Sequence, residues 1–439
     1  MTRYLGSGYA VDDTSSLTGA IPSHLPSRLT VCLWDFSWYT RAGAGEPYAD
    51  LDRALDETAA RGYNAVRICA APLLTYGGDE LGLDDLAAAL EIEGMGARAD
   101  GGYFGDGTRW YDTPGGYTID VRERLLSLIR GAHERGIVVV LASWEYQQSP
   151  AYAADPRWFR AIDAVPLDRR HRVLAEAFDR MLTAVEAEGL GDAIAFTELH
   201  NEIDFSILPG LEGDSPDGAL ASMEWLRAEH PGQLVTVSFG KPPHLAMHRV
   251  PAGPDVAQFH IYSYGVLDAL QQRLDIRSEG TEGFPNAELR ALQVADAPTF
   301  EAYGRPAAWK LDATVVTDQM FYGYDTIDAA AWDAWLDEHY PAFHEVMMRE
   351  IESRVIAVAA WARWRGVPMV VGEGWIGYTP LRGRFEEGPR GRALAEHGIR
   401  TALEHGAWGV VACSNAAPHH PMWADVAWQR SINEEVLDV

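Results

Sequence analysis

From residue 30 to its C-terminus the chain alternates between short runs rich in β-branched and aromatic residues and longer stretches of helical periodicity, and no other feature restricts its fold as strongly. The runs read "TVCLWDF" (30–36), "NAVRICA" (64–70), "IVVVLASW" (137–144), "AIAFTELH" (193–200), "LVTVSFG" (234–240), "VAQFHIY" (256–262), "PMVVGEG" (368–374) and "WGVVACS" (408–414). Amphipathic patterns lie between most of them. In "VRERLLSLIRGAHERG", for example, Val121, Leu125, Leu128 and Ala132 form one stripe and Gly136 supplies a stop. Eight strand–helix units predict a parallel sheet closed on itself, a (β/α)8 barrel of the TIM type in the α/β class. An open doubly wound sheet is the alternative, but no stretch resembles that fold's phosphate-binding turn. "GMGARA" at 94–99 fits a dinucleotide fingerprint superficially; no strand precedes it and it sits in a Gly-rich region, so it reads as a loop.

Two connections are too long for simple turns, residues 71–119 after the second strand and 263–328 after the sixth. Both leave the C-terminal ends of strands, the face on which barrel enzymes build their sites, so they are expected to form the rim of a pocket. They carry aromatic residues suited to stacking on sugar faces, including Tyr103, Phe104, Trp110, Tyr111 and Trp309. No linker, composition break or internal repeat beyond the βα alternation divides the chain, which reads as one catalytic domain over residues 1–439.

Composition narrows the function. With 47% hydrophobic and 23% charged residues the chain has ordinary globular make-up. Its 64 acidic against 36 basic side chains leave a formal charge of -28, which repels a phosphate backbone or an anionic membrane. The opening "MTRYLGSGYAVDDTSSLTG" lacks the apolar core of a secretion signal and no run approaches a spanning helix, so a cytoplasmic protein is expected, acting on a substrate already inside the cell. Cys32, Cys69 and Cys413 each sit in an apolar run and are expected as buried free thiols.

The stretch "FTELHNEID" ends the fourth strand in an amide and a carboxylate, Asn201 and Glu202, and "VVGEGW" ends the seventh in Glu373. Two carboxyls on one barrel rim are the minimum equipment for glycoside cleavage: one protonates the leaving oxygen, the other attacks the anomeric carbon or activates water. Asp35 and Trp38, just past the first strand, are substrate-contact candidates by position. Asp204 reads as a loop or capping carboxylate. His419 and His420 are adjacent, but no second cluster with ligand spacing accompanies them, so no metal and no cofactor is expected. Trp332 and Trp335 stand at helical spacing and are expected to pack in the core or against another subunit, assembly into a homo-oligomer being left open.

Four segments in order, "GYNAVRI", "FTELHNE", "FHIY" and "VVGEGW", resemble the cellulase-like retaining β-glycosidases of glycoside hydrolase clan A. The resemblance implies Glu202 as general acid/base, Glu373 as nucleophile, Asn201 as ligand of the sugar 2-hydroxyl, and Arg67 and Tyr262 as partners of Glu373, with His260 beside them. It implies a barrel without cofactor that cleaves a small β-linked, equatorial glycoside or oligosaccharide by double displacement, and the two insertions suggest exo-action. Three departures stand out. Ile203 replaces the family's Pro after Asn-Glu. "LASWEYQQ" offers Ser143, Trp144 and Glu145 where the third strand usually supplies a His. The eighth strand ends "CSNAAPHHPMW" without the usual Trp, so Trp375 or Trp423 is expected as the stacking platform. A non-catalytic carbohydrate-binding barrel and a metal-dependent hydrolase are the rival readings.

Overall fold

The expected strands form, and they close. In the computed structural model, which describes residues 21–211, 215–278, 282–377 and 379–438, the strands are β1 (Leu29–Asp35), β2 (Ala65–Cys69), β3 (Val138–Ala142), β4 (Ile194–Glu198), β5 in two pieces (Val235–Thr236 and Ser238–Phe239), β6 (Ala257–Ser263), β7 (Met369–Ile376) and β8 (Gly409–Val411). All neighbours in this sheet pair in parallel. The first piece of β5 pairs with β4 and the second with β6, so the two ends of the hydrogen-bonded series are one strand interrupted at Val237, and the barrel is closed through it. The opening segment read above for a secretion signal lies outside the described residues.

Alternation along each strand splits its side chains between two cores. Leu29, Val31, Ala65, Val138, Val140, Phe196, Val256, Val370 and Trp408 cluster inside the barrel, whereas Cys32, Val66, Val139, Val371 and Val410 pack outward against the helices. The outer layer comprises α1 (Leu51–Ala60), α2 (Val121–Glu134), α3 (Arg170–Ala187), α4 (Ala219–Glu229), α5 (Ala329–Arg365), α6 (Pro389–Glu404) and α7 (Val426–Leu437). Asp50, Asp120 and Asp328 cap α1, α2 and α5 by accepting backbone N–H groups of the first turn. Val121, Leu125, Leu128 and Ala132 of α2 are all buried as the stripe predicts, and Gly136 follows the helix at φ 68°.

One unit departs from the expected eight. Between β5 and β6 only the 3-10 turn Met247–Arg249 forms, because Pro242, Pro243, Pro251 and Pro254 interrupt the segment and each removes a helical N–H. The "GMGARA" segment is a loop, but a strand does precede it: Leu90–Ile92 pairs antiparallel with Tyr117–Ile119 in a hairpin of the first insertion. The first insertion also carries the short helices Pro72–Tyr76, Gly78–Leu81 and Asp84–Ala88, and the described residues of the second carry five, among them Val266–Leu274 and Asp318–Thr326. The insertions are bolted to one another. Asp325 of the second accepts hydrogen bonds from Gly105 N (2.7 Å), Gly107 N (2.9 Å) and Thr108 Oγ1 (2.8 Å) of the first. Trp332 is buried in the core and Trp335 stacks on His339. The three cysteines are free and buried, and burial pushes their thiols up.

Candidate active site

The inward column of each strand changes character as it climbs. On β2 the column runs Ala65, Arg67; on β4 Phe196, Glu198; on β6 Gln258, His260, Tyr262. A β-bulge at Gly372 in β7 sets Glu373 opposite His260, and the absence of a Cβ on Gly372 leaves room for the Gln258 amide, which such an atom would meet at 2.0 Å. These residues meet at the C-terminal mouth of the barrel.

Arg67 is the hub. Wholly buried, it donates to both oxygens of Glu198 (2.9 and 2.7 Å), to Glu373 Oε1 (2.7 Å) and to Asn201 Oδ1 (2.6 Å), and its guanidinium lies 4.5 Å from the Trp144 ring centroid. Glu373 Oε2 accepts from Tyr262 Oη at 2.8 Å; Tyr262 Oη lies 2.8 Å from Ser414 Oγ, which in turn accepts from Gly374 N at 2.9 Å. With the Tyr262 proton given to Glu373, the Ser414 hydroxyl donates to Tyr262, and every group in the chain is satisfied. Burial raises the Glu373 pKa, while His260 and Arg67 oppose the rise.

Glu202 stands in a different setting. Its backbone is left-handed (φ 43°, ψ 65°), a sparsely populated conformation at the turn after β4, and its N–H is held by Ser238 Oγ at 2.8 Å. The carboxyl accepts from Gln147 Nε2 at 2.9 Å and lies 2.8 Å from His260 Nδ1. Gln147 also accepts from Asn201 Nδ2 at 2.6 Å, so one amide orients both members of the Asn-Glu pair. Burial pushes Glu202 up to about 7 and His260 down to about 4, so near neutrality the imidazole is uncharged and the carboxyl about half protonated. Glu202, His260 and Glu373 each present one atom within 4.8 Å of the others, a spacing that a cation could bridge among the described residues. Arg67 already supplies Glu373 with the positive charge a metal would offer.

The mouth encloses about 600 Å³ including its open side, and its walls include Asp35, Phe36, Trp110, Tyr111, Trp144, Gln147, Asn201, Glu202, Tyr262, Tyr264 and Glu373. Asp35 sits there with Oδ1 accepting from Ser37 N (2.5 Å) and Oδ2 3.4 Å from His419 Nε2. Trp110 and Tyr111 come from the first insertion; Tyr264, Val315 and Val316 come from the second.

Four other candidates take structural positions. Glu145 turns away from this mouth and accepts from Leu73 N, Leu74 N, Ser143 Oγ and Trp158 Nε1, tying the second-strand insertion to the third-strand loop. Trp38 is fully buried and donates to Cys69 O. Trp375 is buried beneath α6, where Gly398 meets its ring, and donates to Val411 O. Trp423 stacks on Tyr63 under Arg61 and donates to Glu57. Neither tryptophan is among the residues lining the pocket; on the described walls the aromatic surface comes from Phe36, Trp110, Tyr111, Trp144, Tyr262 and Tyr264 instead. Asp204 is a loop tie, accepting from Gly240 N and Lys241 N. Of the remaining insertion aromatics, Tyr103 bonds Asp112, Phe104 packs on Tyr303 and Trp309 on Phe159.

The site also holds residues that the sequence reading passed over. Glu198 carried a signal, since it stands two residues above the inward Phe196. Ser414 stands where the eighth strand opens into its loop. Gln147 carries none, because its place depends on a loop.

No curated protein matches the chain. Among solved structures, a provisionally assigned glycoside hydrolase from Parabacteroides distasonis ATCC 8503 superposes with TM-score 0.65 at 20% identity, covering 94% of both chains. A family 5 mannosidase from Rhizomucor miehei gives 0.45 at 11%, also covering 94% of both. An endo-1,4-beta-D-mannanase from Thermotoga petrophila RKU-1 gives 0.40 at 15%, covering 88% of this chain and 87% of its own. A family model for sugar-binding cellulase-like proteins matches residues 31–229 and 304–437, which takes in both rim carboxylates and leaves out β5 and β6. The chain thus belongs to the sugar-binding cellulase-like family and is a glycoside hydrolase on a clan A barrel.

Proposed function

We propose that the protein cleaves small β-linked glycosides with retention at the anomeric centre, with Glu373 as nucleophile and Glu202 as acid/base. The observation that carries this reading is the contrast between two close carboxyls. An oxygen of Glu202 lies within 4.8 Å of one of Glu373, so the two carboxyls are close neighbours across the mouth, which supports attack by one and protonation by the other at a single glycosidic bond. Glu373 has a guanidinium and a phenol to keep it ionised, whereas Glu202 has neutral partners and a pKa near 7.

In the first step Glu373 attacks the anomeric carbon, the bond to the aglycone oxygen breaks, and Glu202 gives that oxygen its proton. In the second, Glu202 takes a proton from water, the resulting hydroxyl displaces the sugar from Glu373, and both carboxyls return to their starting states. Asn201, gripped by Arg67 and Gln147, is positioned to hydrogen-bond the sugar 2-hydroxyl. Asp35 offers a second anchor. The joined insertions wall the mouth with Trp110, Tyr111 and Tyr264, which favours a pocket for one terminal sugar over an open cleft and hence stepwise release from the non-reducing end.

Incubation with 2-deoxy-2-fluoro β-glycosides, followed by peptide mass analysis, tests the assignment. The expected result is a label on the peptide containing Glu373. A label on Glu202, or release of an inverted sugar from an ordinary substrate, would overturn it.

A further inference from the structure

The pocket's aromatic residues are buried or half-buried, but one aromatic beside the acid is not. Phe205, three residues beyond Glu202, is 53% exposed. A Cβ built on Gly240 would lie 2.6 Å from both the Glu202 carboxyl carbon and Phe205 Cδ2, so the ring edge and the proton donor flank one point. The same approach explains why residue 240 is glycine. The turn beneath the ring is firmly held: Phe205 N donates to Glu202 O (2.8 Å), Asp204 accepts from Gly240 N (2.8 Å) and Lys241 N (3.0 Å), and Ile207 N donates to Tyr146 O (3.0 Å). A costly exposed aromatic on a fixed backbone has a surface to offer.

Glu202 can protonate only the oxygen that leaves, so the leaving group must emerge on its side of the site. We infer that Phe205 is the platform on which the aglycone ring stacks, and that the protein prefers substrates whose leaving group is itself a pyranose or an aromatic ring. The inference rests on the reading of Glu202 as proton donor. An apolar face of a sugar laid on the Phe205 ring excludes water from both without asking for a hydrogen bond, so the platform selects for a ring and tolerates variation in its hydroxyls. It contributes to binding and alignment of the leaving group; it does not touch the reacting bond.

The test compares substrates with and without an aglycone ring. β-D-Glucosyl and β-D-mannosyl fluorides lack one; cellobiose and β-1,4-mannobiose carry one. In Phe205→Ala, kcat/KM on the disaccharide that the wild type cleaves should fall about tenfold, with the matching fluoride unchanged, while Phe205→Trp should keep disaccharide activity. A merely structural role would depress both substrates together, and equal activity on both in Phe205→Ala would also overturn the inference. Wild-type failure on these four and on the galactosyl and xylosyl fluorides with their β-linked disaccharides would overturn the reading of Glu202 as proton donor to a β-glycoside and this one with it, whereas wild-type cleavage with no disaccharide-specific loss in the variant overturns this one alone.

Discussion

The two sides of the catalytic mouth are built from opposite materials. The wall behind Glu373, from β2, β4, β6, β7 and the end of β8, is ionic: Arg67 is shared between Glu198 and Glu373, with Tyr262 and Ser414 closing the network. The wall behind Glu202, from the loops after β3, β4 and β5 together with His260 of β6, is neutral: an amide, a hydroxyl and an uncharged imidazole. Burial raises both carboxyls, but the Arg67 guanidinium is hydrogen-bonded to Glu373, whereas it acts on Glu202 only through space and the bonded partners of Glu202 are neutral.

Removing the ionised member breaks the comparison outright. Glu373→Ala should cost about 10⁴-fold or more in kcat, since the proposed mechanism forms its covalent intermediate on this carboxylate. Azide should restore part of the turnover on an activated aryl glycoside, yielding an inverted product. A variant retaining a tenth of its activity would deny Glu373 its role.

Removing the neutral member should discriminate between substrates. Glu202→Ala is expected to slow glycosides with poor leaving groups by about 10²–10⁴-fold and dinitrophenyl glycosides far less in the first step, because only the former need a proton. Equal slowing of both series, read by pre-steady-state release of the aglycone, would count against the assignment.

The same carboxyl also has a cost in stability that depends on pH. A folded-state value near 7, against 4.5 for the exposed group, means the unfolded chain ionises Glu202 first, so stability present below about pH 4.5 is lost as pH rises toward 7. Glu202→Gln removes the ionisable group, and above pH 7 it should gain on the order of 2 kcal/mol over the wild type, shrinking toward nothing at pH 4. Denaturant melts at the two pH values measure this. A gain that is the same at both would place its origin elsewhere than in ionisation.

How much of this contrast could be read from the chain differs between its halves. The ionic wall is made by strands, and strand periodicity makes inward positions countable: Arg67 follows Ala65, Tyr262 lies on the same face as Gln258, and Glu198 follows Phe196 by the same rule. The neutral wall takes only His260 from a strand and is otherwise made by loops, where no period exists. Gln147 reaches Glu202 only because the chain turns after Trp144, and Glu145 and Trp375, which strand position alone places near the substrate, are drawn off by other partners. Trp375 illustrates the physical reason. It stands two residues beyond Glu373, where alternation would turn it inward, yet its ring lies beneath α6, where Gly398 makes room for it. Barrel closure was legible from eight runs, but the missing helix after β5 required its four prolines to be given more weight than the alternation.

The smallest expected effect sharpens the neutral wall most. Gln147 donates to Glu202 Oε2, and a donor to a carboxylate favours its ionised form, so this amide holds the acid's pKa below where burial alone would set it. An acid catalyst loses activity as pH climbs through its pKa; the alkaline limb of kcat/KM therefore reports Glu202 in the free protein. Gln147→Ala deletes the donor, and the limb should move upward by about half to one pH unit, corresponding to roughly 1 kcal/mol of lost hydrogen bonding to the charged form. Asn201 loses its partner as well, so kcat should fall modestly at every pH, a displacement of the whole curve that is separable from the shift of its limb. Gln147→Glu tests the sign more severely: a carboxylate there can still accept from Asn201 but sets like charge against Glu202, and the limb should move further up than in the alanine variant. A limb that stays still in both variants would show that Gln147 fixes the geometry of the acid without setting its charge; a limb that moves down would mean that the group titrating there is not Glu202.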